Sequence, residues 1–185
     1  MTTITRLQIP DVLLMTPTRH GDERGYFEET YNARTLAESG FHMPFVQDNH
    51  ARSGRRGVLR GLHFQRPPAV QAKLLRVAKG AIFDVAVDIR LGSPTFGRWV
   101  GEELSAENGR QLLVPAGFAH GYLTLTDQTD VLYKVTDYYA PSLEGGLLWS
   151  DPSVGIDWPR PSSEVSCNAR DSAWPSLGEV EPLPA

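Results

Sequence analysis

Two glycine-bounded strand sequences, one on either side of the middle of the chain, restrict its fold more than any other feature. The first runs Gly57-Val58-Leu59-Arg60-Gly61-Leu62-His63-Phe64-Gln65 and continues to Lys73 and Gly80. The second runs from Gly109 through Pro115-Ala116-Gly117-Phe118-Ala119-His120 to Thr124. As spacings they read G-x5-H-x-Q-x7-K-x6-G and G-x5-P-x-G-x2-H-x3-T. Both bring strand sequence up to a polar residue that a period of two turns inward. In 58–65 that period predicts Leu59, Gly61, His63 and Gln65 on one face and Val58, Arg60, Leu62 and Phe64 on the other.

The surrounding sequence is also strand-rich. Further strands are expected at 73–79, 81–89, 98–104, 110–115, 119–126 and 130–138, separated by Gly, Pro and Asn turns. In 81–89, Phe83, Val85, Val87 and Ile89 share one face while Asp84 and Asp88 share the other. Before these, 7–16 reads as a strand that Pro10 limits to an edge or bend. His20 to Gly25 is a polar turn feeding an aromatic strand at 26–31. Asn32 is placed to cap a short helix through Leu36 and Glu38, ended by Gly40. Residues 45–50 lead into a basic loop, Arg52 to Gly57, and 175–185, rich in Pro, Gly and Glu, is expected to be loose. Many short strands and almost no helix mean an all-β sandwich or barrel with a few short peripheral helices. One domain spanning 1–185 is expected.

The two spacings resemble the paired motifs of the cupin family, G-x5-H-x-H-x3-4-E-x6-G and G-x5-P-x-G-x2-H-x3-N, which implies a jelly-roll barrel. A metal-binding cupin presents His, His, Glu and His to one ion. The same positions here hold His63, Gln65, Lys73 and His120. Glutamine is a poor ligand, and a charged lysine only donates. A cation needs an anionic carboxylate where this chain puts an ammonium. The reading is a barrel without a metal, in which a fixed positive charge replaces the ion.

Composition removes several other classes. The formal net charge of −4 argues against non-specific nucleic-acid binding. A single cysteine, Cys167, excludes an intramolecular disulfide framework and suits a reducing compartment. Neither a signal peptide nor a run of the ~20 apolar residues of a membrane span is visible, so a soluble cytoplasmic protein is expected. No phosphate-cradling glycine loop or dinucleotide fingerprint occurs, so neither a nicotinamide nor an ATP cofactor is expected.

Two inward bases and a buried ammonium, without nucleophile or redox group, fit proton removal beside a carbonyl, with the enolate oxygen held by positive charge. Histidine, with an ordinary pKa of about 6.5, suits such abstraction. Inversion needs a proton donor on the opposite face. Tyr133 is the candidate donor, its alternative being an aromatic that fills the core.

Seven blocks, in order, carry a closer resemblance. They are Gly21–Gly25, Phe45–His50, Leu59–Gln65, Phe83–Arg90, Ser93–Gly97, Pro115–Gly121 and Tyr133-Lys134. Together they resemble the dTDP-4-dehydrorhamnose 3,5-epimerase family over about residues 5–172. The resemblance implies His63 as general base, Asp171 as the carboxylate that orients it, Tyr133 as the acid and Lys73 as the group that stabilises the enolate oxygen. It places Arg24, Glu29, Gln47, Asp48, Asn49, Arg60, Lys73, His120, Glu144 and Arg170 around the nucleotide-sugar, with Phe27 and Tyr138 lining or stacking on its rings. Arg170 replaces the lysine of many relatives, and the tail after Asp171 carries no resemblance.

The implied substrate is a dTDP-4-keto-6-deoxyhexose, turned over without cofactor. The implied assembly is a homodimer in which strands of residues 1–31 pair across subunits and Phe27 and Glu29 serve the neighbour's site. Rival readings are a single-carbon epimerase or ketoisomerase of the same sugars, a metal-dependent cupin, and a non-catalytic sugar-nucleotide sensor.

Overall fold

The structure is a computed structural model that describes residues 2–184. One sheet holds six strands in the order β1 (Thr3–Arg6), β2 (Leu13–Thr16), β10 (Gln111–Val114), β7 (Lys73–Lys79), β12 (Thr129–Val135) and β5 (Gln47–Ser53). A second holds five, in the order β13 (Glu144–Gly146), β6 (Leu59–Gln65), β11 (Phe118–Thr124), β8 (Ala81–Asp88) and β9 (Trp99–Ser105). Strands β3 (Arg19–Asp22) and β4 (Gly25–Glu28) pair only with each other, as a hairpin. All these pairings are antiparallel, and most sheet neighbours are distant in sequence. The result is a jelly-roll barrel. Its one α-helix among the described residues, α1 (Ala33–Glu38), starts where Asn32 Oδ1 accepts from the Arg34 and Thr35 amides.

Three apolar clusters hold the layers together. Between the sheets lie Leu75 and Val77 of β7, Ile82 and Ala86 of β8, and Phe118 and Tyr122 of β11. Outside the six-stranded sheet, Leu13, Met15, Leu74 and Leu113 pack under Leu36 of α1. Outside the five-stranded sheet, Val85, Val87 and Ile89 pack with Leu62 and Phe64 under Leu147, Val154, Val180 and Leu183. The alternation expected in β8 is therefore observed: its valine face meets the C-terminal segment, and its Asp84 face turns into the barrel.

Four expectations need correction. The strand expected at 7–16 is a hairpin: the Leu7 amide donates to Val12 O at 3.1 Å and the Val12 amide to Ile9 O at 3.0 Å. Pro10, which has no N–H, sits at the turn between β1 and β2. The aromatic strand stops at Glu28, and its first residues pair with what was expected to be a turn. Arg52 belongs to β5, because the ladder with β12 continues through Ser53. Strand β12 stops at Val135, beyond which Thr136 Oγ1 accepts from the Ala72 amide at 2.9 Å.

The tail also departs from expectation. The Leu91 amide donates to Leu183 O at 2.7 Å and the Leu183 amide to Ile89 O at 2.9 Å. Val180 and Leu183 are buried against β8, and that apolar burial fixes a segment of otherwise turn-like composition. No helix among the described residues is long and apolar enough to cross a membrane.

Candidate active site

A cavity of about 400 Å³ opens between the two sheets. Gln47 and Asn49 reach it from β5, Lys73 from β7, Tyr133 from β12, and His120 and Tyr122 from β11. Arg60, His63 and Gln65 come from β6, and Tyr139, Glu144, Asn168, Arg170 and Asp171 from the later loops and β13.

Simple alternation had put Arg60 and His63 on opposite faces of β6, yet both line the cavity. The β6–β11 register passes from His63↔His120 to Arg60↔Tyr122, three steps on one strand against two on the other. That is a bulge. Gly61 permits it, with φ of +144° and so little room that an added Cβ would lie 2.6 Å from Gly121 Cα. The extra residue sends both basic side chains to one side.

His63 Nε2 lies 2.8 Å from Asp171 Oδ1. An ionised carboxylate only accepts, so Nε2 carries the hydrogen and Nδ1 keeps its lone pair. Asp171 is itself held: its Oδ2 accepts from the Gly61 amide at 3.2 Å, and its own amide donates to Asn168 Oδ1 at 2.7 Å. Burial pushes the Asp171 carboxyl upward, but His63, the Gly61 amide and Arg170 outweigh it and hold the group below its ordinary value. It stays ionised where the histidine needs it.

Lys73 Nζ donates to His63 O at 3.3 Å, inside the barrel. Burial lowers its pKa to about 8 against the opposing charges of Asp84 and Glu144. His120 Nε2 lies 2.7 Å from Asp84 Oδ1, and burial lowers its pKa as well, which favours the neutral ring. Burial raises the Tyr133 phenol, with Arg60 opposing, so its proton is retained at neutral pH. Glu144 Oε2 accepts from Tyr139 Oη at 2.9 Å and from Arg170 Nη1 at 2.7 Å, which fixes an acid, a phenol and a guanidinium together. The cavity thus has a base on the five-stranded sheet, a phenol on the six-stranded sheet and an ammonium between bases.

The structure brings together His63, Asp171, Tyr133, Lys73, Gln47, Asn49, Arg60, His120, Glu144 and Arg170. It does not bring the other five to the same cavity within one chain. Arg24 pairs with Asp22 in the exposed β3–β4 hairpin, where Phe27 is 71% exposed. Glu29, just past that hairpin, accepts from Asn32 Nδ2 at 3.2 Å. Asp48 alternates to the outer face of β5 and pairs with Lys134 at 2.7 Å. Tyr138 is 65% exposed, and its neighbour Tyr139 lines the cavity in its place.

Sequence reasoning passed over Tyr122, Tyr139, Asn168 and the role of Asp84. An acid on the inward face of β8, shared there only with Asp88 at the strand's end, was the available signal for Asp84. Gln65 proves structural: its Nε2 donates to Ala69 O and Tyr138 O, and its Oε1 accepts from the Ala140 amide.

The chain matches the family described as dTDP-4-dehydrorhamnose 3,5-epimerase over residues 6–179, further into the tail than the sequence blocks reach. The dTDP-4-dehydrorhamnose 3,5-epimerase of Salmonella typhimurium is 53% identical over 181 residues, covering 97% of this chain and 98% of that one. The Pseudomonas aeruginosa protein of the same name is 58% identical over 156 residues, covering 84% and 85%. Among solved structures, the dTDP-6-deoxy-D-glucose-3,5-epimerase of Legionella pneumophila, in complex with dTDP-4-keto-L-rhamnose, superposes with a TM-score of 0.95. It is 44% identical, with 100% of this chain and 99% of that one covered. With the proton-transfer cavity these matches lead to one conclusion: the chain belongs to the dTDP-4-dehydrorhamnose 3,5-epimerase family.

Proposed function

We propose that the protein converts dTDP-4-dehydro-6-deoxy-D-glucose to dTDP-4-dehydro-L-rhamnose by inverting C3 and C5 in turn. The observation that carries this is the placement of His63 and Tyr133 on facing sheets, so that a sugar ring between them meets a base on one side and an acid on the other. The C4 ketone acidifies the two flanking carbons. His63 Nδ1 takes the proton, the C–H electron pair becomes part of the enolate, and the charge gathers on the C4 oxygen. Lys73 holds that oxygen as an ammonium. Tyr133 then gives a proton to the other face, and exchange with solvent resets both groups before the second carbon reacts. A positioned acid–base pair of this kind gives typically ~10²–10⁴-fold, with electrostatic stabilisation adding more. Arg60 and Arg170 suit the diphosphate, since a guanidinium fork matches phosphate oxygens.

The dTDP-4-keto-L-rhamnose bound by the Legionella relative supports this substrate class. We assign a homodimer, supported by the exposed aromatics of the β3–β4 hairpin, with Arg24, Phe27 and Glu29 serving the site of the second copy. The free thiol of Cys167 agrees with the cytoplasm as its compartment.

Proton NMR in deuterium oxide tests the reading. Wild type should exchange both the C3 and C5 hydrogens of dTDP-4-keto-6-deoxyglucose. His63→Ala should exchange neither, and Tyr133→Phe should exchange hydrogen without completing inversion. Exchange at one carbon alone overturns the assignment in favour of a single-carbon epimerase.

A further inference from the structure

Below the acid–base pair, the barrel contains a carboxylate that no step above uses. Asp84 is fully buried on β8 and lies directly across the ladder from Tyr122. Its Oδ1 accepts from His120 Nε2 at 2.7 Å, but its Oδ2 has no hydrogen-bond partner among the described residues. An ionised oxygen in that position costs heavily unless a positive charge faces it. We propose that Asp84 is a positioning residue, which fixes the His120 ring through one oxygen and with the other supplies the counter-charge for the Lys73 ammonium. This rests on the reading of Lys73 as the group that stabilises the enolate oxygen.

The other charges support the assignment. The ionisable groups that line the cavity with Lys73 are His63 and Arg60 from β6, His120 and Tyr122 from β11, Tyr133 from β12, Glu144 from β13, and Tyr139 and Arg170 with Asp171 from the loops around it. Of the anions, Asp171 is bonded to His63 and Glu144 to Arg170 and Tyr139. Asp84 has only the neutral His120, which leaves its charge uncommitted. Asp84 is also the stronger of the two acids that oppose the fall in the Lys73 pKa caused by burial. Its negative charge holds the lysine protonated near neutrality, and losing it lets burial carry the pKa further down.

The test is Asp84→Asn, which keeps shape and the bond to His120 but removes the charge. The kcat/KM profile for dTDP-4-keto-6-deoxyglucose against pH should lose its alkaline side earlier, shifted down by about one unit, the low end of what an opposite charge does to a buried group. The loss should be about tenfold near pH 9 and shrink toward pH 6, with KM nearly unchanged. An unshifted profile overturns the proposal.

A stability cycle reads the same coupling without turnover. Asp84→Asn should lower the melting temperature more in a protein that retains Lys73 than in one that carries Lys73→Met. An equal drop in both backgrounds, or failure of both to fold, overturns the proposal. Folding restored to Asp84→Asn by adding Lys73→Met supports it. Absence of turnover by wild type would sink the functional reading instead, and the melting cycle would still decide the role of Asp84.

Discussion

At Asp171 a single hydrogen-bond choice decides which nitrogen of His63 is basic. Gly61 N–H is a donor only and needs an oxygen, which Asp171 Oδ2 supplies at 3.2 Å while Oδ1 receives His63 Nε2–H. Asparagine has one oxygen for both tasks. In Asp171→Asn the Gly61 amide claims that oxygen and the side-chain NH₂ turns to His63 Nε2, moving the ring hydrogen to Nδ1. The lone pair then faces away from the sugar. The expected result is a kcat loss on the order of 10³–10⁴-fold with KM little changed, as when the acid behind a catalytic histidine is neutralised. Steady-state kinetics check it, and a variant with near-normal kcat shows that Asp171 does not set the tautomer. His63, Lys73 and His120 were legible in the sequence because spacing from a glycine fixes the inward face of a strand. The Asp171 contact was available only through resemblance, since it joins residues far apart in the chain and period-two reasoning ends at each strand.

Elements were legible where one face is apolar and the other polar, as in β8. They were misread where something beyond periodicity decides. In β6 a bulge at Gly61 changes which residues face the cavity; the lone glycine inside 58–65 was its signal, and simple alternation passed over it. In the tail, Leu177, Val180 and Leu183 are spaced three apart, near the helical period, but Pro175, Gly178, Pro182 and Pro184 among them argue against a helix, and no strand period shows. Their partners are Val85, Val87 and Ile89, on a strand from the middle of the chain. Leu183 is only 2% exposed and its backbone bonds both Ile89 and Leu91. Leu183→Ala should therefore destabilise the fold by about 2–4 kcal/mol, the range for a buried leucine that leaves a cavity. Chemical denaturation measures it, and a loss below ~0.5 kcal/mol, as for a surface change, contradicts the packing described for the tail.

On the scale of the molecule, the β3–β4 hairpin pairs with neither of the two large sheets. Arg19 anchors it, bonding Glu28 at 2.7 Å and Ala106 O at 2.7 Å, yet Tyr26 and Phe27 remain 58% and 71% exposed. Strand β5 is meanwhile an unpaired sheet edge, and its Gln47 and Asn49 form one wall of the cavity. In the homodimer proposed above, an open edge beside the cavity and a protruding aromatic hairpin would answer each other across a twofold axis, the hairpin of one copy covering the site of the next. Two defective proteins can test this. His63→Ala keeps a sound hairpin on a dead barrel, and Arg24→Ala/Phe27→Ala keeps a sound barrel with a damaged hairpin. If hairpins cross between subunits, each mixed dimer regains one whole site, so an equal mixture allowed to exchange should recover about a quarter of wild-type activity. If each hairpin serves its own barrel, a mixed dimer contains one dead barrel and one poorly covered barrel, and mixing adds nothing to the separate activities. Recovery on mixing supports the crossed arrangement, and activity no greater than the average of the two preparations shows that each chain completes its own cavity.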